Sequence, residues 1–450
     1  MDPAESEAPG AASSGRLLNV LGLAFGLAGS VGGTIGAGIL RTPGLVAAQL
    51  PSAPWILLIW LLGGLYALLG ACCIAELAAA LPRAGGWYVY ANAAFGRRAG
   101  LVVGWCDWVA HCIGLAWVAT TLGDYLAGYL SDPSGLSGRW IALAVLGLFS
   151  GVQLLGVRAG GASQELLSLA KAGAFMALVL ACFLLPQPAA VALKPPAFTT
   201  GMPGVVPLVL ALQAVITTYD GWASPVYFAE EFSDPSRDLP RSLIGGVVAV
   251  LMLYLLINLA LLHVLPIGTL ATSPLPAATA ARVLVGGWGG LAITCIALVA
   301  LLGLINTVVM AAPRIVYALG RDGLLPRFTA GVNNRGTPVA ALLLTVGAAG
   351  LLVLAGSFER LLAIGAVLYV LLPLSGLAAL AALRMQQPEL ARPFQCWLYP
   401  LTPLVVGGIS IAFLMATSIG DPLSSLIAAG LAALGLVALL RSPGEPLTPV

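Results

Sequence analysis

Apolar runs of about twenty residues, parted by short polar turns, recur along almost the whole of this 450-residue chain, and few folds accommodate them. A hydrocarbon core about 30 Å thick is crossed by a helix of about 20 apolar residues. With no water at that depth, backbone amides must bond within their own segment, so such runs must be helices. Composition separates this case from the buried core of a large soluble protein. Here 60% of residues are hydrophobic and 8% charged, against about 25% charged in soluble domains. The expected fold is an all-α polytopic membrane protein with about twelve transmembrane helices. Charges and turn signals place them at 17–48, 54–80, 99–130, 138–157, 163–185, 205–232, 242–266, 281–318, 338–355, 358–380, 396–418 and 422–441.

Basic residues assign the two sides. With the N-terminus inside, fourteen arginines fall in cytosolic segments, among them Arg83, Arg97, Arg98, Arg321 and Arg384, against five basic residues outside. That is a positive-inside bias. It predicts a multi-pass protein of the cell (plasma or inner) membrane with both termini cytosolic. The acidic, small-residue stretch "MDPAESEAPGAASSG" lacks a basic n-region, so 1–16 reads as a disordered cytosolic tail and 442–450 as a second one.

Several function classes drop out. A net charge of +2 without a basic cluster gives no reason to expect a nucleic-acid partner. The histidines, His111 and His263, are far apart, and no HExxH or CxxC spacing occurs, so no metal or other cofactor is expected. No Gly-x-Ser-x-Gly elbow is present, and no catalytic constellation sits at membrane depth, so the chain is not read as an enzyme. The seven cysteines, an odd number within or at the ends of spans, read as free core thiols.

Two spans are interrupted. The stretch "VGGTIGAGILRTPG", 31–44, holds five glycines, each costing about 1 kcal/mol against alanine in a helix interior. One reading is a small-residue face for tight helix packing. The other is a helix that stops at mid-membrane, which is tolerated where protein or a wet cavity shields the backbone. Its freed amides would then suit an anion and its freed carbonyls an ammonium group, the two ends of a zwitterion. The sixth span, "ALQAVITTYDGWASPVYFAEE", 211–231, breaks likewise at Thr217, Thr218, Tyr219, Asp220 and Gly221, before Ser224 and Pro225. Interruptions at matching places in two halves point to a transporter built from inverted repeats.

Four motifs carry a family resemblance. "GGTIGAGIL" (32–40), "AELAAALPRAGGWYVYANAAFG" (75–96), "YDGWASPVYFAEEFSDPSRDLPRSL" (219–243) and "PRIVYALGRDGLLPRFTAGVNNRGTPVAA" (313–341) occur in order. They resemble motifs of the amino acid–polyamine–organocation superfamily of permeases, and "YDGW" is similar to the L-type amino acid transporter branch. The resemblance implies a leucine-transporter-like fold of two inverted five-helix repeats, 17–185 and 205–380, plus two C-terminal helices within 396–441. It implies that the amides of Gly36, Ala37 and Gly38 face a substrate carboxylate, and that the carbonyls of Thr34, Thr217 and Asp220 face its ammonium. The position two residues before Tyr219 is often a bulky aromatic lid in such proteins. Here it is Thr217, which leaves Tyr219 or Trp222 to occlude the substrate.

Lys171, one of two lysines, lies within the fifth span. A lysine at that depth is a functional candidate by default, with a stem that snorkels to the cytosolic interface as the alternative. The resemblance implies an ammonium standing where sodium-coupled relatives hold a cation, hence a coupling role. The side chain of Asp220 suits substrate contact, a cation pair or a helix cap. Asp107 and His111, four apart, share a helix face as a structural pair or a proton relay. Asn306 and Thr307 line the expected site or bond to neighbouring helices. Glu76, Glu230 and Glu231 stand beside arginine-rich loops as ion pairs of a cytosolic gate.

The function expected is sodium-independent secondary transport of neutral L-amino acids by alternating access, as an antiporter or proton symporter. A cationic amino acid or polyamine permease is the alternative, and a non-transporting sensor is a weaker one because both tails are short. The expected partners are the amino acid substrate and the lipid bilayer. The loop "SDPSGLSG", 131–138, lacks the cysteine through which some L-type relatives hold an accessory subunit, so no disulfide-linked subunit is expected.

Overall fold

Leucine and alanine fill the apolar runs with good helix formers, and glycine or proline ends almost every one. The computed structural model describes residues 17–36, 38–127, 136–186, 203–355 and 358–440. In chain order its helices are α1 (Leu23–Thr34), α2 (Gly38–Gln49), α3 (Ala53–Ala80), α4 (Trp87–Phe95), α5 (Arg97–Ala127), α6 (Leu136–Leu154), α7 (Val157–Leu184) and α8 (Val205–Thr218). A 3-10 helix, Ser224–Glu231, follows. Then come α9 (Pro235–Val264), α10 (Ile267–Thr272), α11 (Pro276–Val285), α12 (Trp288–Arg321), α13 (Val339–Ala355), α14 (Phe358–Gln386), α15 (Leu401–Gly420) and α16 (Pro422–Leu440). The protein is all-helical and polytopic.

Among the described residues, eight helices are long and apolar enough to cross a membrane: α3, α5, α6, α7, α9, α12, α14 and α15. The pair α1 and α2, bent by 48°, makes a ninth if counted as one span. The remaining expected spans correspond to shorter apolar helices, α8, α13 and α16. Three boundaries differ for identifiable reasons. Helix α7 starts at Val157, ahead of the expected 163, because Gly156 takes a φ of +114° and lets the chain turn directly into the helix. Helix α9 starts at Pro235 rather than 242, with proline in the first turn, where its missing amide costs nothing. Gly286, at φ +64°, splits the segment expected at 281–318 into α11 and α12.

Helix α5 is the hub, packing on α4, α6, α12, α13, α14 and α16, while α9 packs on both α3 and α1. The segment before α1 crosses to the other broken span, where the Leu21 amide donates to the Glu231 carbonyl (2.9 Å) and the Ser233 amide to the Leu21 carbonyl (2.9 Å). All seven cysteines are free, six of them buried. The two tails, Ala37 and the loop at 131–135 lie outside the described residues.

Candidate functional site

The two interruptions meet. Helix α1 stops at Thr34, the chain turns at Ile35 and Gly36, and α2 begins at Gly38. Helix α8 stops at Thr218, and Gly221 takes the left-handed φ of +101° that a side chain would resist. The chain then resumes as a 3-10 helix with Pro225 at its start, which lacks an amide to donate. Backbones touch here: a Cβ on Gly33 would stand 2.5 Å from the Gly221 carbonyl oxygen, and one on Gly221 would collide with the Gly33 carbonyl. The glycines of the first break therefore serve both close packing and interruption. Ser30 Oγ donates to the Trp222 carbonyl (3.0 Å). The Tyr254 hydroxyl, from α9, lies 3.1 Å from the Thr34 carbonyl and 3.2 Å from that of Thr218, so a single O–H bridges both breaks. Thr42 and Thr218 close a hydroxyl pair at 2.8 Å between α2 and α8.

A cavity of about 690 Å³ opens at this meeting point. Thr34, Gly36, Gly38, Thr217, Tyr219, Asp220 and Trp222 line it from the broken spans, with His111 from α5, Thr307 from α12 and Tyr369 from α14. The lining continues past Arg41, Thr121, Tyr125 and Pro274, toward the end that the basic residues assign to the outside. Tyr66, Gly70, Val406 and Phe413 also line it. Helix α2 begins against this space, and the first amides of a helix have no intrahelical acceptor, so Gly38 brings donors with the sign an anion needs.

Individual side chains divide. Asp220 and Thr217 are exposed to the cavity, although the Thr217 hydroxyl bonds back to the Gln213 and Ala214 carbonyls of its own helix. The Thr34 hydroxyl does the same to Ser30 (2.8 Å), so both threonines turn backbone rather than hydroxyl to a ligand. Tyr219 is 1% exposed and donates to the Trp60 carbonyl (3.2 Å), which commits its polar end to α3. Trp222 is buried on the cavity wall beside Gly70.

Lys171 is fully buried, and its ammonium donates to the carbonyls of Gly32 (2.7 Å) and Ile35 (3.0 Å). It does not snorkel. Those acceptors lie in the last turn of α1 and at the break, where carbonyls lose their helical partners. Room for the stem comes from Gly303 on α12, where any Cβ would collide with Lys171 Cε.

Asn306 is not on the cavity wall. Its side chain accepts from Gln153 (3.0 Å) and Ser163 (3.2 Å) and donates to Gln164 (2.8 Å). Gln164 and Ser168 in turn donate to the Ala28 carbonyl of α1 (3.3 and 2.7 Å). This is the helix-to-helix bonding of a membrane bundle, and it departs from the site-lining expectation for Asn306. Thr307 does line the cavity, with its hydroxyl bonded to the Gly303 carbonyl (2.9 Å).

The opposite end of the bundle is tied by charge. Glu231 and Arg314, 0% and 2% exposed, form a bidentate pair at 2.8 and 3.0 Å, with the Arg314 guanidinium 4.8 Å above the Phe228 ring. Glu230 pairs with Arg321 (2.5 Å), and Glu76 with Arg384 (2.6 Å) and Arg392 (3.2 Å). Asp322, just beyond α12, accepts from Arg83 (3.0 Å), Arg321 (3.1 Å) and the Tyr88 hydroxyl (2.8 Å). Burial alone would raise its carboxyl, but the hydrogen bond and charge of Arg321, with Tyr88 and Arg83, hold it below the usual carboxylate range.

Sequence reasoning missed Tyr254, Thr42, Gly303 and the Gln164–Ser168 pair. Each is a polar or glycine residue inside a span, yet nothing in the pattern says which neighbouring helix it meets.

Residues 17–437 match the amino acid permease family. A serine/threonine exchanger of Bacillus subtilis is 28% identical over 417 residues, covering 90% of this chain and 92% of its own. The human Asc-type amino acid transporter 1 is 29% identical over 415 residues, 90% of this chain and 79% of its own. A branched-chain amino acid permease of Lactococcus lactis is 28% identical over 330 residues, 69% and 70% of the two chains.

Proposed function

We propose, for a chain that belongs to the amino acid permease family and transports amino acids, that its substrates are neutral L-amino acids moved without sodium by alternating access. One observation carries the reading. The Lys171 ammonium already occupies the Gly32 and Ile35 carbonyls at the first break, the type of freed carbonyl that coordinates a coupling cation in broken-helix transporters. A fixed ammonium meets the same dipoles, so no sodium ion has to bind there.

The substrate carboxylate sits at the amides of Gly36, Ala37 and Gly38. Its ammonium turns to the carbonyls of Thr34, Thr217 and Asp220, where the Thr34 oxygen keeps a lone pair beside Tyr254. Trp222, rather than Tyr219, is the aromatic that closes the site, since its ring lines the cavity while the Tyr219 hydroxyl is held by α3. The cavity reaches the outer end while Glu76, Glu230 and Glu231 are paired at the other, which suits an outward-facing state with a closed cytosolic gate. In this reading 17–185 and 205–380 are the two inverted repeats, 396–441 is appended, and both termini are cytosolic in the cell membrane. Drive comes from exchanged amino acid or from protons, without a disulfide-linked subunit.

Asp220 favours a second reading. A carboxyl exposed to the cavity beside the second break suits a cationic amino acid, whose extra charge would offset it. Proteoliposomes loaded with unlabelled amino acid decide between them. Labelled neutral amino acids should exchange against trapped neutral ones in sodium-free buffer. Uptake of lysine or a polyamine alone would favour the second reading, and strict sodium dependence would refute the first.

A further inference from the structure

Behind the cavity wall a buried carboxylate pairs with an imidazole that lines the cavity, and neither enters the contacts above. Asp107, on α5, is fully buried. Its Oδ1 accepts from the Tyr227 hydroxyl of the 3-10 helix (3.0 Å) and lies 3.1 Å from His111 Nδ1. Its Oδ2 has no hydrogen-bond partner among the described residues. His111, one turn along α5, is on the cavity wall.

The contacts fix the tautomer. Both neighbours of His111 Nδ1, the Asp107 carbonyl (2.9 Å) and Oδ1, are acceptors, so Nδ1 carries the hydrogen. Nε2 is then the nitrogen with a lone pair to offer. The groups facing the pair are Cys106 from α5, Tyr227 from the 3-10 helix, Asp220 from the second break and Tyr369 from α14. Asp220 is within electrostatic reach of the imidazole, and no basic side chain is among these groups. A buried carboxylate with one oxygen unsatisfied lacks part of its counter-charge, and an imidazolium one turn away would supply it.

We infer that Asp107 and His111 form a proton-binding site on the cavity wall, whose occupancy sets the charge that a substrate meets at Asp220. A proton from cavity water adds to the Nε2 lone pair while Nδ1–H stays on Asp107, giving an imidazolium–carboxylate pair. It leaves by the same path, and no other bond changes. With the site empty, Asp220 faces the cavity as an unopposed carboxylate and favours a substrate with an additional positive charge. With the proton bound, the imidazolium opposes that charge, and neutral amino acids are favoured. This selectivity rests on the amino acid reading above; the proton site itself does not.

Two measurements separate the two. The chain holds only two histidines, so His263→Gln in detergent, with 13C,15N-histidine, leaves a single imidazole to follow by NMR. The ring signals of His111 should pass from neutral to charged between about pH 5 and pH 9. Asp107→Asn should lower the proton affinity by about tenfold or more. Ring signals that stay constant across that range, or a midpoint indifferent to Asp107→Asn, would overturn the site. In proteoliposomes, the lysine-to-leucine uptake ratio should rise on the order of fivefold from the acid to the alkaline end in the wild type, and His111→Gln should flatten it. A pH dependence unchanged by His111→Gln would overturn the link to selectivity. Failure of both substrates at every pH, with His111 still titrating, would count against the amino acid reading and leave the proton site standing.

Discussion

Replacing Gly303 by alanine tests the Lys171 arrangement through the sign of a stability change. On an ordinary interior helix position, Gly→Ala stabilises by about 1 kcal/mol. Here the new Cβ would fall on Lys171 Cε, and the Nζ would be 2.8 Å away. A lysine stem is flexible, so the clash itself is relieved by moving the side chain. Movement takes the ammonium off the Gly32 and Ile35 carbonyls, now 2.7 and 3.0 Å distant. Charge-assisted bonds of this kind contribute about 1.5–3 kcal/mol each, and a buried ammonium left without them costs more. The helix gain is outweighed, and Gly303→Ala should destabilise by roughly 2–4 kcal/mol. Thermal unfolding in detergent is the assay, with Lys171→Ala and the double variant completing a cycle. In the background lacking the lysine, Gly303→Ala should be neutral or stabilising. A Gly303→Ala protein at least as stable as wild type would refute the reasoning.

Further outcomes follow from other contacts. Glu231→Gln leaves the buried Arg314 guanidinium without its counter-charge, so unfolding should be easier by about 3–5 kcal/mol; Glu231→Leu with Arg314→Met should recover most of it in the same melt. Asp322 has its carboxyl held low by its arginines, so its contribution is complete above the unfolded value near 3.9 and fades as pH falls through the lower folded one. Melts of wild type and Asp322→Asn should therefore differ at neutral pH and converge in acid. Tyr254→Phe removes the hydroxyl bridging the Thr34 and Thr218 carbonyls, at a cost of about 1–2 kcal/mol; uptake kinetics should show a raised KM as the two breaks loosen.

Much of the fold was legible because a bilayer imposes one length and one secondary structure. The start of α3 at Ala53 against an expected 54, and the span α13 against 338–355, follow from apolar length alone. Boundaries slipped where local backbone chemistry outweighed hydropathy, at Gly156, Pro235 and Gly286. Both breaks were visible as glycine, proline and polar residues inside spans. Their partners were not. That Lys171 reaches the first break depends on how α7 packs on α1, and its space depends on a glycine of α12 more than a hundred residues away. Asn306 illustrates the limit: a polar residue near a site has several helices to bond to, and periodicity does not choose among them. Beyond the second break, Gly221 and Pro225 lead the chain into a 3-10 helix, a detail the hydropathy pattern does not carry.

An ammonium at Lys171 that stands in for a coupling cation leaves uptake indifferent to sodium. Initial uptake of a labelled neutral amino acid, in sodium and in choline buffers, by wild type and Lys171→Ala in proteoliposomes, tests it most directly. Wild-type uptake should be equal in both buffers, and uptake in the variant should be lost or uncoupled. Wild-type uptake that requires sodium, with Lys171→Ala unimpaired, would contradict it.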